Sequence, residues 1–185
     1  KASDGHERLR LGLHRAGLHP GAFPWPPPSD PNRPLFRGLR VLEEVDAAIF
    51  FGRDTQITKA LDAIRQLRDG APERLLVILG ASGSGKSCFL RAGLLARLQR
   101  DTERFLVLPT LRPGRAALTG PSGLQHSLGM EGLLDSARIT EHLAQLRGAV
   151  VERLRQLRPA QFAATKPPTV VLPIDQAEEL FAAGD

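Results

Sequence analysis

A three-layer α/β/α fold around a mainly parallel sheet is predicted by three features of this chain. Residues Gly80–Ser87 read Gly-Ala-Ser-Gly-Ser-Gly-Lys-Ser, the G-x-x-x-x-G-K-S pattern of a phosphate-binding loop. An apolar run, Leu75 to Leu79, stands directly before that loop, and a helical pattern of Phe89, Leu90, Leu94, Leu95 and Leu98 directly after it. Further apolar runs at Phe105 to Leu108 and Thr169 to Ile174 alternate with helical patterns, as strands do in a parallel sheet with right-handed crossovers. Together these predict the P-loop NTPase fold, cut short on its C-terminal side.

Two regions are expected along the chain. Residues 1–34 read as the tail of an upstream domain followed by a linker, and residues 35–185 as the N-terminal part of the NTPase domain. His6 to Leu18 has a short amphipathic pattern ended by Gly17. From Pro20 to Pro34 the density of proline removes backbone donors and blocks helix and central strand, which implies a semi-rigid, extended linker. Trp25 is the residue expected to pin that linker to the domain, because a large aromatic is costly to leave in water. Asp54 is placed as the N-cap of a helix whose inner face is Ile57, Leu61, Ile64 and Leu67, and Asp69-Gly70 stops it. Leu75 to Leu79 is the buried strand feeding the loop. Phe105 to Leu108 is the second strand, ended by Pro109. Gly120 to Gly132 reads as irregular, and Leu133 to Leu157 as a long helix with a core stripe at Leu143, Leu146, Val150, Leu154 and Leu157. Thr169 to Ile174 is the third strand. The chain starts at Lys1 rather than Met and stops at Asp185 inside an acidic, helix-prone run, so a piece of a longer protein is expected.

Composition narrows the function classes. The 185 residues carry a formal net charge of +5 and a pI near 10.3. The arginines are spread over several helices and tyrosine is absent, so no basic-aromatic stacking surface for nucleic acid stands out. Cys88 is the sole cysteine, which excludes an internal disulfide and points to a reducing, cytoplasmic setting. The five histidines form no metal-spaced cluster, and no apolar run is long enough for a membrane span.

The chemistry concentrates at two places. In the loop, glycines let the chain turn with positive φ, and the following helix directs its amides at a polyphosphate. Gly80, Ala81, Ser82, Gly83, Ser84, Gly85, Lys86, Ser87 and Cys88 are the expected cofactor-binding residues. Lys86 is the cation for the β- and γ-phosphates, and Ser87 supplies a hydroxyl to Mg²⁺. Cys88 at the helix start is read as a small buried side chain. The second place is Asp175, at the carboxyl end of the third apolar run, where α/β sheets bind ligands. It is expected to hold the Mg²⁺ hydration shell, the competing interpretation being an ordinary helix N-cap. Gln176 follows, so the group that orients the attacking water is sought at Glu178 or Glu179, with Glu178 ahead. Both are equally explicable as acids favoured at a helix N-terminus.

Three segments carry a family resemblance: Phe50-Phe51-Gly52-Arg53-Asp54, then Gly80 to Ser87, then Asp175-Gln-Ala-Glu-Glu-Leu-Phe181. They resemble the motif series of the novel STAND NTPases, signal-transduction ATPases related to AAA+ proteins, over about Pro34 to the C-terminus. The resemblance implies ATP and Mg²⁺ as cofactors and a base pocket flanked by Phe51, Gly52 and Arg53. Asp54 departs from the family's usual glutamate, and Cys88 from a common serine. Leu111-Arg112-Pro113 also fits the pattern without defining a role for Arg112. The resemblance further implies an N-terminal effector, here of the Toll-like signalling (TIR) type, and C-terminal sensor repeats in the same chain. Self-association on activation is expected, and contact with a membrane is not. In that family kinship a later, polar strand lies between the loop strand and the Asp175 strand, so this piece is expected to lack the middle of its own sheet.

Other P-loop classes fit less well. A D-x-x-G switch and an N-K-x-D guanine reader are missing, as is a Leu-Ser-Gly-Gly-Gln signature, and Pro109 stands where recombinase-type motors carry a glutamate. The alternatives kept beside an ATP-driven switch are a nucleic-acid-binding ATPase, suggested by the basic pI, and a nucleotide-gated scaffold without hydrolysis.

Overall fold

The computed structural model describes residues 23–70, 74–114, 123–128 and 168–179, with Gly5, Glu152, Arg155 and Gln156. The predicted helix at His6 to Leu18 and the core stripe of the helix at 133–157 lie outside the described residues. The chain forms two compact units, Lys1–Arg100 and Asp101–Asp185.

In the first unit, a 3₁₀ turn at Glu44–Ile49 leads to α1, Asp54–Asp69. The residue at the N-cap position of α1 is Arg53, not Asp54, and no side chain caps the helix. Asp54 is instead the first helical residue, where its charge still complements the positive helix end. Gly70 follows the last turn, and Ile57 and Leu61 bury the inner face. The helix after the loop is continuous but changes register. It runs as α2, Lys86–Cys88, then a π-helical stretch, Phe89–Leu95, then α3, Ala96–Leu98. Phe89, Leu94, Leu95 and Leu98 are buried along it as the periodicity predicts. Gly93 permits the close approach of α1, since a Cβ there would meet Phe50 Cε1 at 3.2 Å and Ile57 Cγ1 at 3.5 Å.

The expected buried strand at Leu75 to Leu79 is corrected by the structure. Among the described residues this segment joins no ladder, and Leu75, Val77 and Leu79 are exposed by 73%, 59% and 87%. A strand is defined by its neighbour, and its apolar side chains are buried only when a sheet and covering helices surround them.

The proline-rich segment also departs from expectation. Instead of running extended it makes two turns, closed by Asp30 N–H to Pro27 O at 2.9 Å and Arg33 N–H to Asp30 O at 3.2 Å. Prolines pre-set the φ that such turns need. Trp25 is half-buried, and the aromatic that engages the unit is Phe23. The guanidinium groups of Arg97 and Arg100 lie over its ring at 5.2 and 5.3 Å. Arg97 is itself buried and donates to the carbonyls of Ala92 (3.1 Å) and Gly93 (2.7 Å) in the π stretch.

Further along, Arg33 and Arg37 converge on Asp46, which is wholly buried. Arg37 Nη1 lies 2.7 Å from Asp46 Oδ2, Arg33 Nη2 donates to the same oxygen at 2.9 Å, and the Glu43 backbone N–H donates to it at 2.8 Å. Burial alone would push the Asp46 carboxyl up. The bonds from Arg33, the Glu43 N–H and Arg37 outweigh it and hold the group at about 2, below its ordinary 3.8.

In the second unit, β1, Phe105–Val107, pairs in parallel with β2, Thr169–Val171, with Phe105 opposite Thr169 and Val107 opposite Val171. Two strands so far apart in sequence can be parallel only through a long crossover, which accords with an α/β class. The pairing continues past β2 as a parallel bridge of Leu111 with Ile174. The glycine-rich region expected to be irregular contains a short helix, α4, Leu124–Leu128. No glycine or proline falls inside that stretch, so nothing local opposes a turn of helix. Among the described residues no helix is long and apolar enough to cross a membrane.

Candidate nucleotide-binding site

Residues 80–87 fold as a tight loop opening onto α2. Gly83 and Gly85 take positive φ, 74° and 81°, which side-chain-bearing residues adopt only with strain. At Gly80 a Cβ would meet Ser84 Oγ at 2.7 Å, so a side chain there would require the serine hydroxyl to rotate away. Ser84 N–H closes the turn on Ala81 O at 3.2 Å.

Lys86 folds back across this loop. Its Nζ donates to Gly80 O at 2.9 Å and Ala81 O at 3.1 Å. An ammonium has three donors, so two hold the loop's first residues and one is left for an incoming anion. No acidic residue stands in the first turn of α2 to compete for the amide groups there. The loop thus places a fixed cation beside the start of a helix, the arrangement a polyphosphate cradle requires.

The segment resembling a base pocket reaches the same place. Arg53 Nη2 donates to Ser84 O at 2.8 Å, and Gly52 turns with φ 82°. Phe51 beside them is 77% exposed, and Phe50 packs inward on Gly93. A flat apolar face next to a phosphate loop suits a purine ring. The Arg53 contact was not legible in the sequence, because it joins residues 31 apart with no shared periodicity. Cys88, expected to be buried, is half-buried, and its Sγ accepts from Leu42 N–H at 3.3 Å.

Asp175 lies in the second unit and is described there. It is 4% exposed, and its backbone N–H donates to Leu111 O at 2.9 Å, while Leu111 N–H donates to Pro173 O at 2.8 Å. Arg112, which had no role assigned from sequence, holds its Nε 3.7 Å from Asp175 Oδ2. The next residue, Gln176, has φ 61°, an uncommon left-handed conformation for a residue with a side chain. The chain therefore turns sharply at Asp175 instead of running straight into a helix.

That turn separates the two glutamates. Glu179 Oε2 accepts the Gly114 N–H at 2.9 Å, fastening the 112–114 loop to the segment after β2. Glu178 is exposed. Gly114, with φ 44°, was not flagged by the sequence as the partner of either acid.

Ser87, in the first unit, carries a hydroxyl, and Asp175, in the second, a carboxylate; each is a hard oxygen donor of the kind Mg²⁺ prefers. Among the described residues no group of three or more His, Cys, Asp or Glu side chains forms a metal cage.

A nucleotide-binding NTPase class is what these loop features define. Residues 35–185 match the family model described as novel STAND NTPase 1, and the chain belongs to that family. No curated protein matches significantly. No solved structure does either.

Proposed function

We propose that this chain is the ATP-binding, slowly hydrolysing switch domain of a multidomain signalling or defence protein, its nucleotide state controlling an attached effector. The observation that carries the reading is Lys86 bridging Gly80 O and Ala81 O across a loop in which Gly83 and Gly85 hold positive φ. Family membership supports NTP turnover as the chemistry.

In this reading the loop amides and Lys86 bind the β- and γ-phosphates, and Phe51, Gly52 and Arg53 border the adenine. Ser87 and Asp175 would hold Mg²⁺, which supplies charge neutralisation on the terminal phosphates. Glu178 orients the attacking water, because Glu179 already has a structural partner in Gly114. The effector upstream and the sensor repeats downstream, the partners implied by the family, would receive and set the nucleotide state.

Two substitution pairs test this in the full-length protein. Ser87→Ala and Asp175→Asn are expected to erase most of the gain in ATP affinity that Mg²⁺ gives, measured by calorimetry with and without the metal. An unchanged gain in both would remove the metal assignment. Glu178→Gln should leave ATP affinity within about twofold and slow single-turnover hydrolysis by about 10²-fold or more. Glu179→Gln should instead lower the melting temperature, with the hydrolysis rate of the folded fraction retained. The reverse pattern would exchange the two roles.

A further inference from the structure

The segment 23–46 holds the loop helix at both of its ends. At the N-terminal end, Leu42 N–H donates to Cys88 Sγ, one residue from Ser87. At the C-terminal end, Phe23 lies under Arg97 and Arg100. Between them, the 3₁₀ turn Glu44–Ile49 packs on the π stretch, and its Asp46 is gripped by Arg33 and Arg37 from the proline-rich side.

We infer that this proline-rich segment is a docked part of the nucleotide switch, not a passive tether, and that its docking and nucleotide binding favour one another. The inference rests on the nucleotide-binding function proposed above and adds the route by which that site acts on what precedes it.

The physical basis is the helix itself. A π stretch of seven residues is an uncommon register, and such departures from α geometry concentrate at functional positions. Moving any of its hydrogen bonds to the i→i−4 spacing rotates Arg97 about the axis relative to Lys86. Arg97 would then leave both the Ala92 and Gly93 carbonyls and the Phe23 ring. The docked arrangement occurs together with a loop whose lysine and glycines are set for phosphate. A ligand that fixes Lys86 and Ser87 therefore fixes the register that Phe23 and Leu42 read, and the linkage is reciprocal.

The test uses trypsin on the full-length protein. Cleavage after Arg37 requires the segment to leave its docked turns, because Arg37 is held on Asp46, whereas the exposed Arg40 serves as the internal control. Saturating Mg-ATP is expected to slow cleavage after Arg37, relative to that after Arg40, by about fivefold or more, read by mass spectrometry. By reciprocity, Phe23→Ala and Asp46→Asn should weaken ATP binding several-fold in calorimetry, although neither residue belongs to the phosphate loop. Phe23→Ala serves where Asp46→Asn is too unstable, since Phe23 sits at the surface of the unit. Cleavage that is indifferent to Mg-ATP in protein shown to bind it would overturn the inference and leave the nucleotide site standing. Failure of the wild type to bind ATP at all would remove both.

Discussion

Replacing Lys86 with alanine is expected to lower ATP affinity by about 10- to 100-fold. The ammonium supplies a charge-assisted contact to the terminal phosphates, and each such contact contributes about 1.5–3 kcal/mol, with tenfold in affinity for about 1.4 kcal/mol. The structure argues for the upper end. Lys86 also ties Gly80 O and Ala81 O together, so its loss frees the loop as well as removing the cation. The rest of the unit should be spared: these bonds are exposed, and the following buried residues Phe89, Leu94 and Leu95 do not depend on them. Calorimetry with Mg²⁺ present measures the affinity, and a thermal melt controls for folding. Equal affinity in wild type and Lys86→Ala, with equal melts, would sink the phosphate-loop assignment.

The loop was legible because everything it needs is local. Eight consecutive residues specify glycines for the turn, a lysine that can reach back, and a helix start, so spacing alone carries the geometry. Helix α1 was legible for the same reason, apart from a shift of one residue at its cap. The strand at Leu75 to Leu79 failed because its state depends on a neighbour that no property of those five residues can supply. Strands β1 and β2 were legible as short apolar, β-branched runs bounded by breakers, although only β1 is buried, at Phe105 and Leu106, and β2 is half-buried.

Long-range polar contacts were the least legible. Arg53 to Ser84, Arg112 to Asp175 and Glu179 to Gly114 each link residues whose types are unremarkable where they stand. The two adjacent glutamates illustrate the limit: the sequence could offer only a choice between them, and a single backbone N–H distinguishes them in the fold. Trp25 was expected to pin this segment and is half-buried, but the stacking of Arg97 and Arg100 on Phe23 had no signal in the sequence.

Asp46→Ala is expected to be the most destabilising single change in the first unit, by about 3–5 kcal/mol, because it strands charges that have left water. Arg33 and Arg37 expose only 11% and 12% of their side chains. Total stability of a domain is about 5–15 kcal/mol, so a loss of this size should leave much of the variant unfolded near physiological temperature. The same cluster predicts an acid sensitivity whose sign is fixed by the shift. With a folded pKa of about 2 and an ordinary value of 3.8, the unfolded chain binds the proton first. Stability from this group is therefore complete above about pH 4 and is lost as the pH falls towards 2, amounting to about 2 kcal/mol over that window. Asp46→Asn keeps the shape and one acceptor oxygen but cannot titrate. Its melting temperature should start lower than that of wild type at pH 6 and fall less between pH 4 and 2. Parallel pH profiles for the two proteins would show that other carboxylates, not Asp46, govern the acid transition.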